Sequence, residues 1–448
     1  MHLSVTMDVH ESSVIDIKTL EAKVHHNDWR KGEAPSIFRV PPNLRCHEDK
    51  SYYKGAYEPR FVSIGPYHCG KDHLKPMEEH KWAALHKLLH RKDNVNPSDA
   101  LNRCTNELKD LEESARRCYS EDIGLNSDKF VDMLLLDGCF IVSILEMGGE
   151  DTGGTWIWKE VKKDLLLLEN QIPFFVIRKL CELLATSENT HTPPERLALN
   201  ALSEFALGKM SDPPPTTATH HLLHLFYSSS FEPDQLPSST DYFNMFKPNK
   251  NTGAVPDPPK WIPSATKLAE TGIKLKAKTG SRRFSFLDVT FNKEDGALEI
   301  PTLALHDSSE SILRNLIAYE QCVGPRAHHV ADYAFFMDCL VDRRDDVAIL
   351  EEEEIVLNSL SSGDNAAKMF NNLIVEVCSE RRNNYLSKLF HDVTKRSNSR
   401  KKQWLAKLVR DYFSNPWSFI SLVAAVTLLL LTLDQTFFIT YSYFHPPS

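Results

Sequence analysis

The chain has 448 residues, 42% of them hydrophobic, with 52 Lys+Arg against 61 Asp+Glu and a formal charge of −9. It is too apolar and too aromatic for a disordered polymer, and long enough for one large core or two ordinary ones. Glycine is sparse at 17 residues, and neither GxGxxG nor GxxxxGK with a following Ser or Thr occurs, which excludes the common phosphate-cradling loops.

The charge is split. Residues 381–410 hold ten Lys/Arg and one acid, Asp392, so the other residues carry −18 between them. An acidic body with one basic stripe argues against nucleic acid as a partner, because a nucleic-acid binder spreads positive charge over its folded surface.

Along the chain, residues 1–35 are polar and irregular and read as a flexible N-terminus. IFRVPPNLR (37–45) and YEPRFVSIGPYH (57–68) read as extended or loop segments punctuated by proline. From Leu74 the period turns helical, with Trp82, Leu85, Leu88 and Leu89 expected on one face. A charged amphipathic helix follows over about 98–118. Phe130–Leu145 is apolar nearly all round and reads as the central core helix. The next helical stretch, 164–184, is expected to kink or restart at Pro173.

Residues 211–263 hold ten of the 25 prolines and read as a disordered insertion dividing a helical domain, 36–410, into two lobes. Beyond it, a helix starts near Ser264 or Thr266. A hairpin is expected at about 284–300 around Asn292–Gly296. Ser308–Gln321 has Ile312, Leu313, Leu316 and Ile317 on one face, and further helices run through 330–376. The fold class is therefore mainly α, a helical body with a small β-hairpin plus one C-terminal transmembrane helix.

That helix begins after the basic segment 381–410. Trp417–Leu433 is uncharged, and continuing to Ile439 gives a span of the length a bilayer core needs, with Asp434 near its exit. Seven Lys/Arg and no acid lie in 395–410, facing an uncharged tail after Tyr441. The positive-inside rule then places the body in the cytosol and the C-terminus on the exoplasmic side. No secretory signal opens the chain. Nine scattered cysteines without a CxxC pair read as reduced, mostly buried thiols. The partners expected are membrane lipid, through the 417–439 helix and its basic flank, and unidentified proteins.

Chemistry is harder to find. His220, His221 and His224 form the densest histidine cluster, but no carboxylate or cysteine stands at ligand spacing beside them. His328-His329 is weaker, since neighbours on a helix point apart. The acid pairs Asp132/Asp137, Asp288/Glu299 and Asp307/Glu310 are more simply capped or paired carboxylates than acid–base couples. Glu351–Glu354 reads as a solvated face. No GxSxG elbow occurs. No residue is assigned a catalytic, cofactor-binding or metal-binding role, and the chain reads as a non-enzyme. The competing reading is a membrane-bound, hydrolase-like enzyme using His68, Asp137 and Glu169.

Several stretches together resemble the plant domain of unknown function 247 family. They are IFRVPPNLR, the 57–82 run, LLLDGCFIV, DLLLLENQIPFFVI, HLLHLF, IPSATKLAETGIKLK, FLDVTF with LEIPTLALHD, LRNLIAYEQC, YAFFMDCL and DYFSNPWSFIS. The resemblance spans roughly 36–440. It implies a mainly helical protein ending in one membrane helix, without established enzymatic activity, some grass members being linked to self-incompatibility recognition. It supplies no catalytic residues to carry over. Asp434 departs from the family pattern, which usually has an uncharged residue there.

Overall fold

The computed structural model describes residues 35–45, 55–91, 96–147, 155–185, 192–208, 210–213, 219–230, 261–278, 285–324, 328–375, 377, 384–398 and 416–444. The expected flexible N-terminus and much of 211–263 and of the basic segment lie outside these residues.

The N-terminal half is built around one helix. After a helical turn at Pro42–Arg45 come α1 (Pro76–Leu89), α2 (Pro97–Arg117) and α3 (Ser127–Met147). They are followed by α4 (Thr155–Asp164), α5 (Phe174–Leu183) and α6 (Pro194–Leu202). Helix α3 packs against α1, α2, α5 and α6, which is why its sequence is apolar on nearly every face. Phe130, Leu134, Cys139, Phe140 and Ile141 are at most 1% exposed. At Gly138 a Cβ would lie 2.3 Å from Leu180 Cδ1, so the missing side chain lets α5 approach. The helix restarts at Pro173, which stands as the N-cap of α5, while 165–173 runs as turns.

On α1 the buried face is Met77, Lys81, Ala84, Leu85, Leu88 and Leu89. Trp82 is 59% exposed, contrary to the expected stripe. Position 82 lies off the buried row that includes Lys81, and Lys81 is buried because its ammonium finds partners inside.

The expected disorder across 211–263 is wrong for 219–230. There α7 (Leu222–Ser229) is a core helix, with Leu222, Leu223, Leu225, Phe226 and Tyr227 buried. Proline content misleads here because the prolines cluster around this apolar run and not in it.

The second half comprises α8 (Ala265–Glu270), β1 (Lys274–Ala277), β2 (Thr290–Asn292), β3 (Ala297–Ile300) and β4 (Leu303–Leu305). Then come α9 (Ser309–Val323), α10 (His329–Leu340), α11 (Arg344–Glu352), β5 (Val356–Asn358), α12 (Gly363–Leu373) and α13 (Ser387–Ser397). The expected hairpin is β2–β3, antiparallel with Phe291 opposite Leu298. Two further pairings have no counterpart in the sequence reading: β1 runs parallel to β3, and β4 parallel to β5. Parallel partners are distant in sequence, so local alternation does not announce them.

Helix α9 is buried on all faces over 309–320, not on one. Several of its polar residues are enclosed in pairs: Arg314 Nε with Glu310 Oε1 at 2.9 Å, Ser311 and Asn315 with Ala56 O, and Glu320 with Val330 N–H. The halves share one core. Leu168 N–H donates to Asn315 Oδ1, and Ser311 Oγ and Asn315 Nδ2 both donate to Ala56 O.

Helix α14 (Pro416–Phe444) is 29 residues long, and its Val423–Tyr441 stretch is apolar enough to cross a membrane. None of that stretch is buried inside the protein.

Candidate functional site

The segment 56–70 has little regular structure of its own, so its backbone groups must be satisfied from elsewhere. Side chains from 164–171 do this. Asp164 accepts from the N–H groups of Arg60, Phe61 and Val62 at 2.7–3.1 Å. Burial pushes its carboxyl up to about 6, against the opposing pull of those donors. Asn170 Oδ1 accepts from Ile64 N–H, and its Nδ2 donates to Val62 O. Gln171 Nε2 donates to Leu165 O and Leu167 O, while its Oε1 accepts from Leu223 N–H. Gly65, at φ +74°, is required where the chain passes Gln171, since a Cβ would lie 2.3 Å from Gln171 O.

On this scaffold Glu58, His68 and Glu169 converge. His68 Nε2 lies 3.3 Å from Glu169 Oε2, and Nδ1 lies 3.4 Å from Glu58 Oε2. Arg45 bridges the two carboxylates, with Nη2 2.7 Å from Glu169 Oε1 and Nη1 2.9 Å from Glu58 Oε1. Lys71 pairs with Glu58, and Val40 N–H donates to Glu169. Arg39 pairs with Glu121 at 2.7 Å, comes within 3.7 Å of Glu169, and lies over the Tyr67 ring. Burial acts upward on Glu169, but His68, Arg45 and Val40 N–H outweigh it and hold the carboxyl down at about 2.

The three ligand-type side chains have donor atoms within 4.8 Å of one another, the spacing a metal ion would need. Their charges are already balanced, however: Arg39, Arg45 and Lys71 stand against Glu58, Glu121 and Glu169. A dication would have to compete with Arg45 and Lys71 for the same oxygens. His68 and Glu169 are each 2% exposed, so solvent does not reach either side chain in this conformation. The arrangement therefore suits locking the 37–45 and 56–70 segments to the core.

Of the hydrolase-like trio, the structure brings together His68 and Glu169 but engages Asp137 differently. Asp137 Oδ1 is 2.6 Å from Lys81 Nζ, and its Oδ2 accepts from Gly65 N–H. Lys81 also donates to Ser63 O. Sequence reasoning passes over Arg45, Glu58, Lys81 and Asp164. The available signal is a charge embedded in an apolar or proline-flanked run, as in DLLLLENQIP.

The histidine cluster is structural in its bonding. His221 is the N-cap of α7, its Nδ1 accepting from His224 N–H and its Nε2 facing Ser36 O at 2.9 Å. His224 Nδ1 accepts from His220 N–H. Burial lowers both rings' affinity for a proton, His224 to about 4. Nearby, Glu320 accepts from Tyr227 Oη and from the N–H groups of Val330 and Ala331. Burial raises its carboxyl to about 7. His328 and His329 go to different neighbours, Gln321 and the Tyr385 ring.

The acid pairs behave likewise. Asp288 meets Lys278 at 2.8 Å, Glu310 meets Arg314, and Asp132 and Asp307 are exposed. Glu299 stands in β3 opposite Thr290 and Lys276. Glu351–Glu354 is exposed, as expected. Of the described cysteines only Cys104 and Cys139 are fully buried and Cys69 is exposed, which corrects the mostly buried reading.

A plant family described as protein of unknown function matches residues 37–431. The chain belongs to this family, the plant domain of unknown function 247. Two relatives from Arabidopsis thaliana agree. UPF0481 protein At3g47200 is 30% identical over 92% of this chain and 87% of its own length. Putative UPF0481 protein At3g02645 is 25% identical over 95% of this chain and 94% of its own. No solved structure matches the chain. The family match takes in the segments that build the Arg45–Glu58–His68–Glu169 cluster and the first part of the apolar helix.

Proposed function

We propose that the chain is a single-pass membrane-anchored recognition protein, whose body binds other proteins and does not catalyse. The observation that carries the anchor is α14. Leu428, Leu429, Phe437 and Phe438 are each about 60% or more exposed, and no described part of the body covers them. Apolar surface on every face of so long a helix is stable in lipid and costly in water. The basic residues of 395–410 favour a cytosolic body, with anionic headgroups on that side. Confinement to a membrane plane raises the effective concentration of partners there, so weak contacts become productive. Self-incompatibility-like signalling, to which some grass members of the family are linked, is one role of this type.

Non-enzymatic recognition is favoured over hydrolysis because the best-placed candidate groups are committed to one another. Glu58 and Glu169 neutralise Arg45 and Lys71, and His68 lies buried between the two carboxylates. Three measurements test the reading. A glycosylation acceptor engineered after Ser448 is modified if the C-terminus is exoplasmic, whereas modification of an acceptor before Met1 reverses the orientation. Proximity labelling from an N-terminal fusion in plant tissue is expected to return a reproducible set of membrane-associated proteins. Small-molecule turnover by the purified chain, abolished by His68→Ala in a variant that still folds, would overturn the non-enzymatic reading.

A further inference from the structure

Between the β2 strand and helix α13 lies a cleft of about 420 Å³, within the size range of small-ligand sites. One wall is Leu287, Val289 and Phe291; the other is Tyr385, Leu386 and Leu389 of the segment entering α13. Charged residues also line it. Lys293 is held by Asp392 at 2.8 Å, and Asp288 by Lys278 at 2.8 Å. Lys388 is exposed and makes no ion pair among the described residues. The cleft therefore combines apolar walls with two lysines and two aspartates, and Lys388 is the lysine without an ion pair among the described residues, in a body that is acidic as a whole.

Its place in the chain narrows the occupant. Helix α13 ends at Ser397 and α14 begins at Pro416, so the cleft wall precedes the membrane helix in the chain by a short connection. The connecting sequence is cationic, which draws this face toward an anionic bilayer surface. We propose that the cleft binds an anionic phospholipid of the anchoring membrane, its phosphate at Lys388 and its apolar portion against the Leu287–Phe291 and Leu386–Leu389 walls. The proposal rests on the membrane reading above and adds a specific lipid site to it. A phosphate at Lys388 would supply a counter-charge that no described residue provides, and the acyl portion would extend the apolar packing at the half-buried Phe291, beside the buried Leu287 and Leu386.

The test uses the full chain in nanodiscs containing a photoreactive phosphatidylserine or phosphatidylcholine analogue, with crosslinked peptides mapped by mass spectrometry. The expected result is phosphatidylserine labelling of both cleft walls. Thr290→Trp, which fills the cleft from an exposed position on β2, should abolish it. Lys388→Glu should weaken it roughly tenfold, with the melting curve unchanged. Labelling of α14 should persist in every variant. Crosslinks confined to α14, equal cleft labelling by phosphatidylcholine, or cleft labelling indifferent to both substitutions would overturn the lipid site while leaving the anchor intact. Absence of labelling on α14 as well would overturn the anchor and the site together. If Thr290→Trp fails to fold, the surface change Lys388→Glu still decides the matter.

Discussion

Arg45 and Glu169, 124 positions apart in the chain, meet with Nη2 2.7 Å from Oε1, and Glu169 is 2% exposed. The contact ties the IFRVPPNLR segment to the turn after α4. Arg45 is only partly buried and keeps its pair with Glu58, so losing the Glu169 charge removes one of its two charge-assisted bonds, worth about 1.5–3 kcal/mol. Glu169→Gln should therefore lower stability by roughly that amount in a denaturant titration.

The same residue sets an acid limb. Its folded carboxyl is held at about 2, below the ordinary 4.5, so its stabilisation is complete above the ordinary value. It is lost as pH falls from there through about 2. Thermal melts of Glu169→Gln between those limits should be flatter than those of the parent.

Asp332 shows the opposite sign. Burial chiefly raises its carboxyl to about 8, and the nearby Glu320 adds to the rise, while Tyr385 N–H opposes it. The folded state then holds a proton that the unfolded chain releases, so stability falls as pH rises from about 4 to 8, by about 1.4 kcal/mol per pH unit. Asp332→Asn keeps an acceptor for Tyr385 N–H. It should be more stable than the parent at the top of this window and nearly equal at the bottom.

Packing around α3 offers a test free of charge effects. Phe140 is 1% exposed, and Phe140→Ala should cost about 3–5 kcal/mol. Gly138→Ala forces the Leu180 side chain away and should cost about 1–3 kcal/mol. Both are read as shifts of the denaturation midpoint without a change in slope.

In α14, Leu430→Arg places a guanidinium deep in the apolar run, at about 3 kcal/mol for insertion. The variant should be released by alkaline carbonate where the parent is retained. The body's melting temperature should not move, because none of the Val423–Tyr441 stretch is buried in the body.

Elements whose burial is written in local pattern are legible in the sequence. All-round apolarity marks α3, an uncharged run after a basic stretch marks α14, and the Asn292–Gly296 turn marks β2–β3. Where a partner comes from far along the chain, local pattern fails. Leu222–Tyr227 is hidden inside a proline-rich stretch, and Lys81 looks like a surface residue because nothing beside it announces Asp137. His68 and Glu169 do converge, but Asp137 belongs with them by composition alone and pairs elsewhere.

Periodicity and charge distribution alone determined a mainly helical body, one membrane-length helix and a basic flank, because helix amphipathicity and bilayer length are properties of short windows. Only the tertiary structure decided which charges are buried and what they do. A carboxylate in an apolar run reads the same in sequence whether it clamps a loop, as Asp164 does, or closes an ion network, as Glu169 does. The difference lies in which donors the folded chain brings within 3 Å, and those donors come from segments more than 100 residues away.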